Sequence, residues 1–417
     1  MDIRRIIKLL YIGYTIYVII IMDSTSIKFF TIIPALLIMW INYLCFSSGY
    51  CLGVGNATSS YSVNYQSGWL NNRNKVSLLF IAGISVLFSI LAVQYYTGQT
   101  PISTFRNLIS GVSVYYEYQA HLIDKQIGEF SIAKLPFVFM LFYIKFITFY
   151  SYISFFISKR EMKILDKYYI FIVTLSYLYV GIARGTNFEF FEMLILVVFI
   201  VLFKKKSTEV KIPIKRIVGL IVLMGAAVFI FYSVINARGV IRDVYISQDV
   251  IFNPSGILPT FLPVLSFVAM ILYDYFGFGF FYMSMYVLEV WFSSLENFLA
   301  SLIPFGHLIL VESSPRETMR NVVDMGARWQ PDSAAIIGIF GYVGLLLMCF
   351  LMGLFCRYLK KAKNNSPMNQ LTAFIILLQM ISLPVGNFLS TSSASKLTIT
   401  SLMLYWIWKI FIVSAKR

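Results

Sequence analysis

An all-α polytopic membrane protein is the fold class this sequence predicts, and three observations predict it. Hydrophobic residues make up 59% of the 417 positions and charged residues only 13%. Mean hydropathy is +0.78. Apolar runs of the roughly 20 residues needed to cross a bilayer recur along the whole chain. A soluble domain of this size would need about 25% charged residues to cover itself. No polar stretch sets off an independent soluble domain, so residues 1–417 read as one membrane domain.

The first apolar run, Ile6 to Met22, follows Arg4 and Arg5 and contains Lys8, which is the order of charge and apolarity in a signal peptide. No Ala-x-Ala pattern follows it. Asp23-Ser24-Thr25-Ser26 leads directly into a second run, Phe29 to Ser47, so the first is expected to remain as a helix. Further spans are predicted at Val76 to Tyr95, Leu135 to Ile157, Tyr168 to Ile182, Phe188 to Phe203, Ile217 to Ile235, Ala334 to Cys356, Leu371 to Phe388 and Leu397 to Val413. The stretch Ile257 to Pro304 is apolar too and reads as a helical hairpin, a re-entrant pair or interfacial helices. The total is about 10–12 helices, with an outer loop at 97–134 and a large periplasmic loop at 237–332.

Charge orients these spans. Alternate loops, taken as cytoplasmic, collect 21 of the 34 lysines and arginines but only Asp2, Glu161, Asp166 and Glu209 of the 19 acids. The net charge of +15 is therefore topological. It places both termini in the cytoplasm by the positive-inside rule, and its dispersal over short loops argues against a nucleic-acid partner. The four cysteines, Cys45, Cys51, Cys349 and Cys356, lie in or just past predicted helices and imply no disulfide framework. His121 and His307 stand alone, and no His/Cys spacing suits zinc, so no metal or cofactor is expected.

The large loop is chemically biased. It carries Arg238, Arg242, Arg316, Arg320 and Arg328 and no lysine, although lysine outnumbers arginine elsewhere. Guanidinium offers a planar fork of donors that matches phosphate or carboxylate in bidentate fashion, which an ammonium does not. The tripeptide Ala-Arg-Gly occurs at residues 183–185 and again at 237–239, both at predicted outer membrane boundaries. An arginine there either snorkels to the interface or meets a partner, and the adjacent glycine permits a tight turn or a close ligand approach. Glu189 and Glu192 follow one helical turn apart. They read as structural partners of Arg184 or as catalytic carboxylates.

In Tyr273-Asp274-Tyr275-Phe276-Gly277-Phe278-Gly279 a single acid sits among aromatic rings. The segment reads either as an interfacial aromatic belt or as a sugar site, with Tyr273 and Tyr275 stacking on a pyranose and Asp274 accepting hydroxyl protons. Arg316, Glu317 and Arg320 follow at helical spacing, and Arg328-Trp329-Gln330-Pro331-Asp332 returns the chain to the membrane.

The many-span layout, the two arginine-glycine turns, the Y-D-Y-F-G-F-G segment and the return through Pro331-Asp332 into Ile339-Phe340-Gly341-Tyr342-Val343-Gly344 together resemble the Wzy-type O-antigen polymerases. That resemblance implies a bacterial inner-membrane glycosyltransferase that joins oligosaccharide repeat units carried on undecaprenyl pyrophosphate. Membrane lipid and a chain-length regulator protein would be its other partners. Of the arginines only Arg184 and Arg238 match the family's arginine-glycine pattern. Arg242, Arg316, Arg320 and Arg328 are added from composition as pyrophosphate ligands, and Asp274, Glu189 and Asp332, in that order, are the candidates to accept the acceptor's proton. Two other classes share parts of this layout. An O-antigen ligase would carry a small polar residue after its loop histidine, where Leu308 stands here. A lipid-linked oligosaccharide flippase would place charges along its mid-membrane helices and keep its outer loops short.

Overall fold

The computed structural model describes residues 2–52, 75–110, 114–125, 131–157, 162–186, 188–204, 252–262, 266, 273, 276–311, 315–323, 330–361, 366–386 and 392–415. Nearly all of them are helical, and among them there is no strand, only a single bridge between Thr25 and Phe252. The long elements are α1 (Ile3–Met22), α2 (Phe29–Leu52), α3 (Lys75–Thr97), then the short α4 (Pro101–Ser110) and α5 (Val114–Asp124), and α6 (Leu135–Ile157), α7 (Ile164–Arg184) and α8 (Phe188–Lys204). Short pieces follow: α9 (Ile257–Phe261), α10 (Phe278–Met285) running into a π-helical turn at Tyr286–Trp291, α11 (Leu295–Leu302), α12 (Gly306–Leu310) and α13 (Pro315–Val322). Three long helices, α14 (Asp332–Lys361), α15 (Pro367–Val385) and α16 (Ser393–Ala415), complete the chain.

Seven of these helices are long and apolar enough to cross a membrane. The chain is an all-α, multi-pass membrane protein. Nine of the ten predicted spans coincide with described helices, and the tenth, Ile217 to Ile235, lies outside the described residues.

The bundle is built around α15. It is the most buried of the long helices, with 78% of its apolar window covered, and it touches α1, α2, α6, α8, α10 and α14. Elsewhere apolar side chains point outward in quantity, among them Phe30, Phe80 and Phe171. Bilayer tails, not water, are the solvent that tolerates that surface.

The tightest packing is between α2 and α14. A Cβ placed on Gly49 would stand 2.0 Å from the Phe350 carbonyl oxygen, and one on Gly353 would stand 2.0 Å from the Phe46 carbonyl oxygen. Two backbones approach this closely only where side chains are absent, which is how small residues join helices in lipid.

Because successive helices reverse direction, the ends at Met22, Phe29, Thr97, Leu135, Arg184 and Phe188 share one face. The segment 252–262 is tied to it by the Asp23 Oδ2 atom, which accepts the Leu258 N–H at 2.9 Å. This loop-bearing face also holds α4, α5 and the start of α14. On the opposite face Arg4 and Arg357 stand 5.7 and 5.4 Å from the Tyr50 ring.

Candidate functional site

At the loop-bearing face, α7 ends at Arg184 and the chain turns through Gly185, whose φ of +61° is the left-handed conformation that glycine adopts without strain. The turn returns the chain into α8 with Glu189 in its first turn. Arg184 Nη2 donates to Glu189 Oε1, and Thr186 Oγ1 donates to the other oxygen of that carboxylate at 3.1 Å. Arg184 also donates through Nε to the Val180 carbonyl at 3.2 Å. The Arg184 side chain is 21% exposed, whereas Glu189 is 5% exposed. The cation therefore keeps an open side, and the acid does not. Gly181 makes room for this acid, since a Cβ there would meet Glu189 Oε2 at 2.6 Å.

One turn further along α8, Glu192 is fully buried and pairs with Lys145 of α6, Nζ to Oε1 at 2.5 Å. Tyr177 of α7 donates its hydroxyl to Glu192, and Lys145 donates to Ser395 Oγ of α16 at 2.7 Å. Phe149 and Phe188 place their rings 5.7 and 5.5 Å from the ammonium. Four helices thus meet on one ion pair. Glu189 and Glu192 lie one turn apart on α8, so the two ion pairs follow one another along that helix from the loop-bearing face inward.

Lys145 was not singled out by the sequence reading. The available signal was that it is the single charge in the otherwise apolar 23-residue α6, and a charge inside a span is a functional candidate by default.

The other predicted site residues fall in different places. Asp332 is fully buried at the start of α14, where its Oδ2 accepts from Ser382 Oγ at 2.6 Å and from Gln379 Nε2 at 3.2 Å. It is a carboxylate at a helix N-terminus, fixed by α15. Tyr273 is fully buried, and its ring lies where a Cβ on Gly277 would be 2.0 Å away. That is a core position, closed to a stacking sugar. Arg320 is exposed on α13. Arg316 lies one turn before it on the same helix. Asp274, Tyr275, Arg238, Arg242 and Arg328 lie outside the described residues. Among the described residues, Arg184 and Glu189 are therefore the predicted pair that the fold brings together.

No family model, curated protein or solved structure matches this chain. What the site can do must be read from its chemistry. All four cysteines are unbonded thiols. Among the described residues no three His, Cys, Asp or Glu side chains gather as a metal centre would require. The groups on hand are an arginine with an open side, a carboxylate already holding it, and the Thr186 hydroxyl that bonds that carboxylate. Such a set has the chemistry to meet an anion at the guanidinium.

Proposed function

We propose that this chain is a Wzy-type polymerase of the bacterial inner membrane, joining lipid-linked oligosaccharide units into a surface polysaccharide at the periplasmic face. The observation that carries this reading is Arg184: a guanidinium at a membrane boundary, set by a left-handed glycine turn, paired on one side and open on the other. A bound diphosphate is the partner that suits its fork.

In the reaction a hydroxyl oxygen of one lipid-linked unit attacks the anomeric carbon of another. The bond from that carbon to the phosphate oxygen breaks, and the hydroxyl proton passes to a base. Negative charge grows on the departing undecaprenyl diphosphate, and an arginine already in position stabilises it without reorganising in the transition state. Glu189 lies beside Arg184 and becomes available to take the proton when the diphosphate draws the guanidinium away from it. Asp274 keeps its place as the other candidate base, and Arg238, Arg242, Arg316, Arg320 and Arg328 keep the pyrophosphate-binding roles their sequence setting implies. The loop-bearing face is then periplasmic, and the basic ends of α1, α7 and α14 are cytoplasmic.

Lys145 and Glu192 favour a second reading, a lipid-linked oligosaccharide transporter, because mid-helix charges are what such a transporter requires. One gel separates the readings. In a strain lacking this gene, a polysaccharide ladder reduced to one unit on its lipid core supports the polymerase. Loss of all exported units indicates the transporter, and free unattached polymer indicates a ligase.

A further inference from the structure

We propose that α4 and α5 form a glycan-binding subsite that seats the sugar rings nearest the diphosphate of a lipid-linked unit. The proposal rests on reading Arg184 as the diphosphate ligand.

Two left-handed glycines fix where α5 lies. At Gly98 (φ +68°) an added Cβ would stand 3.1 Å from the His121 ring, and at Gly185 (φ +61°) one would stand 2.8 Å from the Tyr115 backbone nitrogen. Both ends of α5 are thus seated directly on turns that favour glycine, and the second of them is the turn that presents Arg184. His121 adds a ring-nitrogen contact to the Tyr95 carbonyl at 3.2 Å.

The surface so placed has a specific chemistry. Tyr115 and Tyr116 have ring centroids 6.1 Å apart, and Tyr115 and Tyr118 6.4 Å apart. Tyr116 is 59% exposed. Beside them the exposed carboxylate of Glu117 is held by two amides, Gln99 Nε2 at 2.7 Å and Asn107 Nδ2 at 2.8 Å. Thr104 in turn donates to Gln99 Oε1 at 3.1 Å. The start of this surface lies against Gly185, the residue that follows Arg184, where an added Cβ would meet the Tyr115 backbone.

The combination selects its ligand by elimination. A second anion would be repelled by Glu117. A hydrocarbon would strip water from the exposed Glu117 carboxylate, a charged group whose two amide bonds do not replace its full hydration. A neutral, hydroxyl-rich ring suits the exposed parts: its apolar face lies on Tyr116, and its hydroxyls donate to Glu117 and accept from the second amide hydrogen of Asn107, while buried Gln99 holds the carboxylate from behind. The ring directly attached to a diphosphate is also the one that chain geometry must place next to Arg184. Tyr273, enclosed in the core, cannot serve.

The test uses the full-length chain in lipid nanodiscs and two soluble probes. One is the neutral oligosaccharide released by mild acid from the host's own surface polysaccharide, and the other is inorganic pyrophosphate. Tyr116→Ala and Glu117→Gln should each weaken oligosaccharide binding on the order of tenfold, the worth of one charge-assisted hydrogen bond, and leave pyrophosphate binding as in wild type. Arg184→Lys should do the reverse. Retained pyrophosphate binding also certifies that the α5 variants are folded. Wild-type affinity for the oligosaccharide in both α5 variants, or none in the wild type, overturns the subsite. If binding depends on Tyr116 and Glu117 while a strain without the gene keeps its ladder, the subsite stands and the polymerase reading falls. If the ladder collapses without the gene but both α5 variants bind normally, the subsite falls and the polymerase remains.

Discussion

Lys145 and Glu192 meet at 2.5 Å between α6 and α8, with 4% and 0% of their side chains exposed. Ten residues separate Leu135 from Lys145, a rise of about 15 Å, or roughly half the hydrocarbon thickness of a bilayer. Breaking such a pair from one side leaves a buried charge with no counter-ion, at a cost of about 3–5 kcal/mol, whereas removing both charges is far milder. Lys145→Met and Glu192→Leu should each reduce the folded protein in membranes strongly, and the double variant should recover much of the loss. Thermal unfolding of the detergent-solubilised chain across the full mutant cycle measures this, and additive losses would show that the two side chains do not depend on each other.

Arg184 and Glu189 raise a different question, whether the pair only staples α7 to α8. A staple can be replaced by a neutral pair. Arg184→Gln with Glu189→Gln should then restore both stability and polymer length. If Arg184 binds diphosphate and Glu189 takes the proton, the double variant should regain stability yet stay more than about a hundredfold below wild type in turnover, while Arg184→Lys, which keeps Glu189 and the charge, should lose only the fork's share, on the order of tenfold to a hundredfold for about 1.5–3 kcal/mol. Membrane abundance by blot and ladder length by gel separate the two outcomes.

The α2–α14 crossing predicts which glycines resist change. Alanine in a helix interior normally gains up to about 1 kcal/mol over glycine. Gly13→Ala and Gly83→Ala, with nothing within 4 Å of the new methyl, should be neutral or stabilising. Gly49→Ala and Gly353→Ala would each drive a methyl to 2.0 Å from a carbonyl oxygen and should cost roughly 1–3 kcal/mol or more. Melting temperatures of the four variants give the comparison.

His307 supplies a pH dependence. It is buried in α12, its Nε2 lies 3.1 Å from Ser301 Oγ, and burial pushes its imidazolium pKa below the ordinary 6.5. The unfolded chain takes up its proton near 6.5, while the folded chain holds the ring neutral to lower pH. The folded state therefore binds fewer protons in that window and loses stability as pH falls from about 7.5 through 6.5. His307→Gln should flatten that part of the profile of unfolding temperature against pH. An unchanged slope would mean that the decline belongs to other groups.

The spans were legible because lipid imposes a rule of length and composition that each helix meets by itself. Arg184 and Glu189 were legible for a similar reason, since they are five residues apart and one tight turn joins them. Lys145 and Glu192 are 47 residues apart in the chain. Nothing local in α6 names an acid in α8, so their pairing appears only once the helices are packed. Tyr273 shows the opposite limit: an aromatic residue in an apolar run has one composition whether it lines a surface or fills a core, and only packing against Gly277 decides. The arginines of the long loop, Arg316 and Arg320 apart, lie outside the described residues.

Gly341 divides α14. Its φ of +65° and ψ of +173° interrupt the helical path, and a Cβ there would fall 2.4 Å from the Ile303 carbonyl oxygen. The lower rod is locked to α2 through Gly353. The upper nine residues are instead fastened to their surroundings, by Phe305 N–H to Ile339 O at 2.8 Å and by Asp332 to Ser382. A rigid 30-residue helix would transmit any tilt of its inner end to Asp332. The break at Gly341 thus divides the helix into two segments with separate anchors, the inner one on α2 and the outer one on the Ile303–Phe305 turn and α15.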